Sequence, residues 1–208
     1  MVLIRIYCCV LVLLVIGCGK KNDGKKVKVA QGRYHNSFTV GQWKVSIKAE
    51  GIDGSWSLER GLLRFVNKKD SKVYKYKFDA CDTVENAWAS DLNGDGWPEI
   101  TVVQGCAGSG GYGTVTTFEL VKGNVKRYKL PMSGCAGYAG HDSFTMKVPK
   151  SELIRKFPLY QKGDVNAEPT NGKYVIVYSF GKDGWKKVRE TNVTGVKEIQ
   201  KLKKTLGM

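Results

Sequence analysis

Histidine is nearly absent: His35 and His141 are the only two in 208 residues, which argues against a zinc site built on imidazole. Arginine does not alternate with aromatics in the manner of nucleic-acid readers, so nucleic acid is not an expected partner despite a formal net charge of +15. A nucleophile elbow is also missing. Ser109 sits in AGSGG, without the first glycine of that motif and in a loop between strands. His141 and Asp142 are adjacent in sequence and would point to opposite faces of a strand, which suits no triad. The chain is therefore not expected to be an enzyme. Long apolar runs are confined to residues 2–17, broken only by Arg5. A run that short behind one positive charge reads as an export signal and is marginal as a membrane span.

The signal closes on Val15-Ile16-Gly17-Cys18, which resembles the bacterial lipobox, whose cysteine carries lipid and becomes the new N-terminus. The resemblance implies residues 1–17 as signal peptide and lipidation at Cys18. Gly19 rather than Asp follows the cysteine, which implies an outer-membrane anchor facing the periplasm in a Gram-negative cell. Residues 19–32 hold five lysines and three glycines and read, with Cys18, as a basic tether over 18–32. Export also changes the reading of the cysteines. Cys81, Cys106 and Cys135 remain in an oxidising compartment, where pairing is expected but one of three is left over.

Residues 33–190 read as one antiparallel all-β domain, a β-sandwich or partly closed barrel. Trp43, Val45 and Ile47 alternate with Lys44, Ser46 and Lys48; Tyr74, Tyr76 and Phe78 alternate with Lys75 and Lys77. Such period-two patterns place apolar groups on one face and lysines on the other. A further strand is expected at Leu62–Val66, with a turn over 67–71. Hairpins are expected from Thr114–Leu120 with Val125–Leu130 and from Tyr174–Phe180 with Trp185–Val188. Two helices are expected besides: a short one after Pro149, capped by Ser151 and ended by Pro158, and a C-terminal one over 191–208 with Val196, Ile199, Leu202 and Leu206 on one side. The tetrapeptide GCAG occurs at 105–108 and again at 134–137. Strand order would bring both copies to one end of a sheet, making Cys106 and Cys135 the expected disulfide, although spacing alone does not fix connectivity.

The stretch DLNGDGWPEITVVQGCAGSGGY, residues 91–112, carries the candidate chemistry. Asp91, Asn93, Asp95, the Trp97 carbonyl and Glu99 offer oxygens at spacings that let a tight loop surround a hard cation, with Gly94 and Gly96 easing the turn. The spacing resembles the calcium loops of FG-GAP repeats and dockerins, and calcium in a structural role is the expected cofactor. An Asx-rich turn needing no ion is the alternative. Beyond the Ile100–Gln104 strand, Gly108, Ser109, Gly110, Gly111 and Tyr112 have the composition of a narrow, protruding binding loop. Between residues 81 and 145 seven acids face four bases, so this region is locally acidic while the remaining lysines read as solvated faces.

The metal loop, the strand, AGSGGY and the later FPLYQKGDVNAEPTNGKYVIVY together resemble the periplasmic inhibitors of invertebrate-type lysozyme, over roughly residues 81–180. That resemblance implies an antiparallel β-sandwich able to dimerise. It also implies that a loop bearing Ser and Tyr three apart enters the lysozyme's substrate cleft, the roles falling on Ser109 and Tyr112. The alternative is a calcium-stabilised surface module that binds a polysaccharide or a host protein.

Overall fold

The computed structural model describes residues 33–52, 58–80, 82–106, 108, 110–165 and 168–193. The export signal, Cys18, the tether, Cys81, Ser109 and the helix expected from Thr194 lie outside the described residues. Twelve strands run in chain order: β1 Arg33–Val40, β2 Trp43–Gly51, β3 Glu59–Asn67, β4 Val73–Ala80, β5 Thr83–Ser90, β6 Glu99–Gly105, β7 Gly113–Val121, β8 Asn124–Lys129, β9 Ser143–Lys147, β10 Glu152–Pro158, β11 Lys173–Gly181 and β12 Gly184–Val193. They form three antiparallel four-stranded sheets, β1–β4, β5–β8 and β9–β12, each built from consecutive strands paired with their sequence neighbours. No closed barrel is present among the described residues.

The alternation in β2 is the simplest case of sequence dictating placement. Trp43, Val45, Ile47 and Ala49 are buried and the residues between them are not, because successive side chains leave a pleated strand on opposite faces. Leu63, Phe65 and Phe78 join them from β3 and β4, and this inner face packs on Val84, Ala87, Ile100, Val102, Phe118 and Leu120 of the second sheet. The opposite face of the second sheet presents Val103 and Val115 to Leu153, Phe157, Ile176, Tyr178, Phe180 and Trp185 of the third. The second sheet thus supplies residues to both cores. Its strand β6 is buried at every position but Gln104, which explains a sequence there that is apolar or β-branched without alternation. A buried polar relay crosses to the third sheet: the hydroxyls of Thr101 and Thr117 lie 2.8 Å apart, and Trp185 Nε1 donates to Thr117 Oγ1 at 2.8 Å.

The β7–β8 hairpin turns on Lys122 and Gly123, with φ of 49° and 88°. Positive φ at both central residues matches the right-handed twist of the flanking strands. Two expectations are corrected. The segment from Ser151 to Phe157 is not a helix; a single 3-10 turn, Val148–Lys150, leads into β10, which pairs with β9 and β11. Leu153 and Phe157 stand four apart, a spacing that satisfies a helix face as well as a strand face with Arg155 between them, so a short run cannot distinguish the two. Ser151 sits at φ 50° with its N–H donating back to Val148 O, and so closes the turn instead of capping a helix. The last strand also runs three residues past 190, to Val193, so 191–193 belong to the sheet domain and not to a C-terminal helix.

Candidate functional site

Strand β6 carries one candidate site at each end. At its C-terminal end, residues 106–112 connect it to β7. The Cys106 N–H donates to Tyr112 O at 2.8 Å, closing the loop, and Gly111 N–H donates to Gly108 O at 3.2 Å. The segment before β9 runs alongside: His141 N–H donates to Gly110 O at 2.7 Å and Asp142 N–H to Gly111 O at 3.1 Å. Gly140, at φ 95°, makes this approach possible, since a Cβ there would lie 1.8 Å from Gly110 O. Only glycine tolerates both the conformation and the contact.

Asp142 locks this junction. Its Oδ2 accepts from Gly113 N–H at 3.0 Å and from the Tyr138 hydroxyl at 2.6 Å, and its Oδ1 accepts from Arg155 Nε at 2.7 Å. Arg155 Nη1 donates to Ser133 O at 2.7 Å, while the guanidinium lies over the rings of Tyr138 and Phe157, 4.8 and 4.6 Å from their centroids. The two side chains of the ion pair are 1 % and 0 % exposed. Burial, then the bond to the Asp142 carboxylate, holds the Tyr138 hydroxyl well above the usual tyrosine range, so it stays a donor. On this platform Tyr112 stands edge-on to Tyr138, centroids 5.7 Å apart, with its ring over Gly110 and 46 % exposed. Gly108 is exposed and Gly110 and Gly111 are half-buried.

The disulfide expected between Cys106 and Cys135 is absent: both are free thiols. Cys106 is exposed, whereas Cys135 packs against the second core, and burial pushes its thiol up. What joins the two GCAG-bearing segments is the backbone pairing with the buried Asp142–Arg155 pair. Asp142, Tyr138 and Arg155 were not among the expected site residues. One signal could have found them: an arginine at the same strand parity as Leu153 and Phe157 must be buried, and a buried arginine requires an acid.

At the other end of β6, residues 91–98 connect β5 to it. Asp91 organises the loop by accepting from the N–H groups of Gly94, Asp95 and Gly96 at 2.8, 3.0 and 2.9 Å. Asn93 Oδ1 accepts from Asp95 N–H at 3.0 Å and Asp95 Oδ1 from Trp97 N–H at 2.9 Å. The Trp97 ring rests on Trp43, centroids 5.3 Å apart, and Trp43 Nε1 donates to Gly96 O at 3.3 Å, so the first sheet steadies the loop.

Asp91, Asp95 and Glu99 converge there, with one oxygen from each lying within 4.8 Å of the others. Glu99 is fully buried; its Oε2 accepts from Leu92 N–H at 2.6 Å and its Oε1 has no partner. Its cross-strand neighbour is another buried acid, Glu119. Glu119 is satisfied by Asn93 Nδ2 at 2.7 Å and the Tyr128 hydroxyl at 2.6 Å. Burial above all, partly offset by the Leu92 amide and reinforced by the charges of Glu119, Asp91 and Asp95, raises the Glu99 carboxyl to about 8.

The cluster fits a hard divalent cation. Oxygens about 2.3–2.6 Å from a calcium ion lie no more than about 5 Å apart, and the orphaned Glu99 oxygen is the kind of group such an ion satisfies. Asp91, Asp95 and Glu99 would hold the ion, with Asn93 and Trp97 in the same loop. No family model, no curated protein and no solved structure matches the chain.

Proposed function

We propose that the chain is an exported, lipid-anchored binding protein that inhibits a lysozyme by inserting the 106–113 loop into the substrate cleft, and that a calcium ion in the 91–99 loop stabilises it. No turnover belongs to this role. The observation that carries the reading is Tyr112: a half-exposed aromatic ring on a loop pinned by backbone bonds and by the buried Asp142–Arg155 pair. A ring held in advance loses little freedom on binding, so most of its contact energy appears as affinity. Glycines on either side keep the projection narrow, and a hydroxyl can bond to a catalytic carboxylate in a cleft without bringing a charge to be desolvated. Ser109 belongs to the same loop and is the second proposed contact.

The test is inhibition of invertebrate-type, chicken-type and goose-type lysozymes. Truncating a central interface tyrosine commonly costs about 2 kcal/mol or more, so Tyr112→Ala is expected to weaken inhibition roughly thirtyfold while the protein stays folded, with Ser109→Ala weakening it less. Absence of inhibition by the wild-type protein of any lysozyme overturns the reading. The openness of the Tyr112 ring favours the second reading in that event, because an exposed ring beside glycines also stacks on a sugar: a calcium-stabilised module that binds polysaccharide.

A further inference from the structure

The first sheet uses one face for the core and leaves the other bare. Register places the bare face in rows: His35, Lys48, Leu62 and Lys77; Ser37, Ser46, Arg64 and Lys75; Thr39, Lys44, Val66 and Val73; with Glu50, Arg60 and Asp79 beyond the first. Lys44, Lys48, Arg60, Arg64, Lys75 and Lys77 of these rows are all exposed. Its two acids both sit in the end row, where Glu50 pairs with Lys48 and Asp79 with Arg60. Arg64 and Lys75 stand directly opposite each other, a like-charge pairing that costs a sheet stability. No acid shares their row, so nothing on the face repays that cost. A groove of about 320 Å³ opens between Lys48, Arg60, Leu62 and Lys77.

From this arrangement we propose that the outer face of the first sheet is a docking surface for an anionic phospholipid bilayer. Four strands about 4.8 Å apart and rows about 6.8 Å apart make a patch roughly 15–20 Å across, wide enough to meet several headgroups at once. Leu62, Val66 and Val73 lie between the cations and supply apolar contact at the headgroup level. A cationic protein partner is repelled by this face. A single nucleic-acid strand finds only the His35 imidazole there to stack on, because Tyr74, Tyr76 and Phe78 turn toward the core.

Geometry favours the bilayer over other polyanions. The sheet's first strand begins at residue 33, only fifteen residues after Cys18. As a random coil, fifteen residues have a root-mean-square span of about 20 Å, two to three times the roughly 8 Å over which charges act in physiological salt, so the anchor keeps the face close enough to sample the surface and the face's own charge completes the docking. This proximity rests on the lipid anchor proposed above; the charge pattern does not. Docking would turn the domain's first sheet toward the membrane and hold it near the surface.

The test uses the chain from residue 18 with Cys18→Ser, which keeps every described strand and has no lipid of its own. Partition is measured by co-sedimentation at 0.15 M salt with vesicles of phosphatidylethanolamine alone and with vesicles containing about one quarter phosphatidylglycerol. Each cation near an anionic surface contributes about a fivefold factor. The expected result is at least tenfold preference for the anionic vesicles, lost when Lys48, Arg64, Lys75 and Lys77 are all changed to Gln and suppressed at 0.5 M salt. A Gln variant that partitions as well as its parent overturns the proposal, as does complete loss on changing only the five tether lysines. Binding to a DNA duplex in preference to both vesicles also overturns it. Lysozyme inhibition by the four-Gln variant should match its parent's, so failure here and failure of the inhibitor reading remain distinguishable.

Discussion

Glu99 and Asp142 are two buried carboxylates at opposite ends of one strand, and their surroundings differ in kind. Asp142 accepts from a backbone amide, a tyrosine hydroxyl and an arginine, so its charge is matched within the chain. Glu99 accepts from one amide, keeps a bare oxygen and faces three more acids. The Asp142 end is finished by the polypeptide; the Glu99 end is finished by a proton, which its carboxyl keeps to about 8, or by a cation. Burial alone does not mark a candidate ligand site. A buried acid without a counter-charge in the chain does.

Breaking the finished end should cost most. Asp142→Ala strands Arg155 in the core, and removing one member of a buried pair typically costs about 3–5 kcal/mol. Thermal unfolding should therefore fall by about 10 °C for a domain of this size. Replacing both partners by apolar residues, Asp142→Leu with Arg155→Met, should recover much of the loss. If Asp142→Ala melts with the wild type, the pair is not what holds the loop.

The unfinished end should respond to an ion instead. Calcium at a hundredfold excess over Kd should add about 2.7 kcal/mol, read as a higher melting temperature than in chelator. Glu99→Gln should abolish that response and, in chelator at neutral pH, should be more stable than the wild type, because it removes a carboxyl that must take up a proton to be buried. A wild-type melting curve indifferent to chelator would remove the metal from the comparison.

A gentler probe is pH. In chelator, the unfolded Glu99 carboxyl loses its proton near its ordinary 4.5 while the folded one keeps it to about 8. The folded state then binds more protons across that window, so stability should decline as pH rises through it and level off above. Denaturant titrations at pH 5, 6.5 and 8 measure the slope, and saturating calcium should flatten it. The smallest effect concerns the thiols beside the finished end: alkylation of native protein should label exposed Cys106 well before Cys135, whose thiol is packed on the core and pushed up. Equal labelling rates would place Cys135 in solvent.

The all-β antiparallel fold was legible because a lysine beside each apolar residue leaves no doubt about the face of β2 or β4. Convergence of Asp91, Asp95 and Glu99 was legible for a similar reason, since the three acids lie within nine residues and their spacing is itself the geometry. What escaped was non-local. Arg155 meets Asp142 across thirteen positions and a strand pairing, and nothing near either residue names the other. The GCAG echo pointed to a disulfide because repeated sequence was taken for paired chemistry, whereas backbone pairing and one ion pair join the segments. The helix assigned after Pro149 failed for want of length: seven residues carry too few turns for a helical period to separate from a strand's.

Because each sheet is drawn from one uninterrupted length of chain, the order of assembly follows the order of synthesis. The first meander can close on neighbours only a hairpin away, a low-contact-order step that is fast. The second closes against it and covers one of its own faces, while the other, with Val103, Val115 and the acidic pair Glu99–Glu119, stays wet until the third arrives. The middle sheet is thus the last to become dry although it is not the last to be made. Its exposed face defines the interval in which the nascent protein is most open to aggregation.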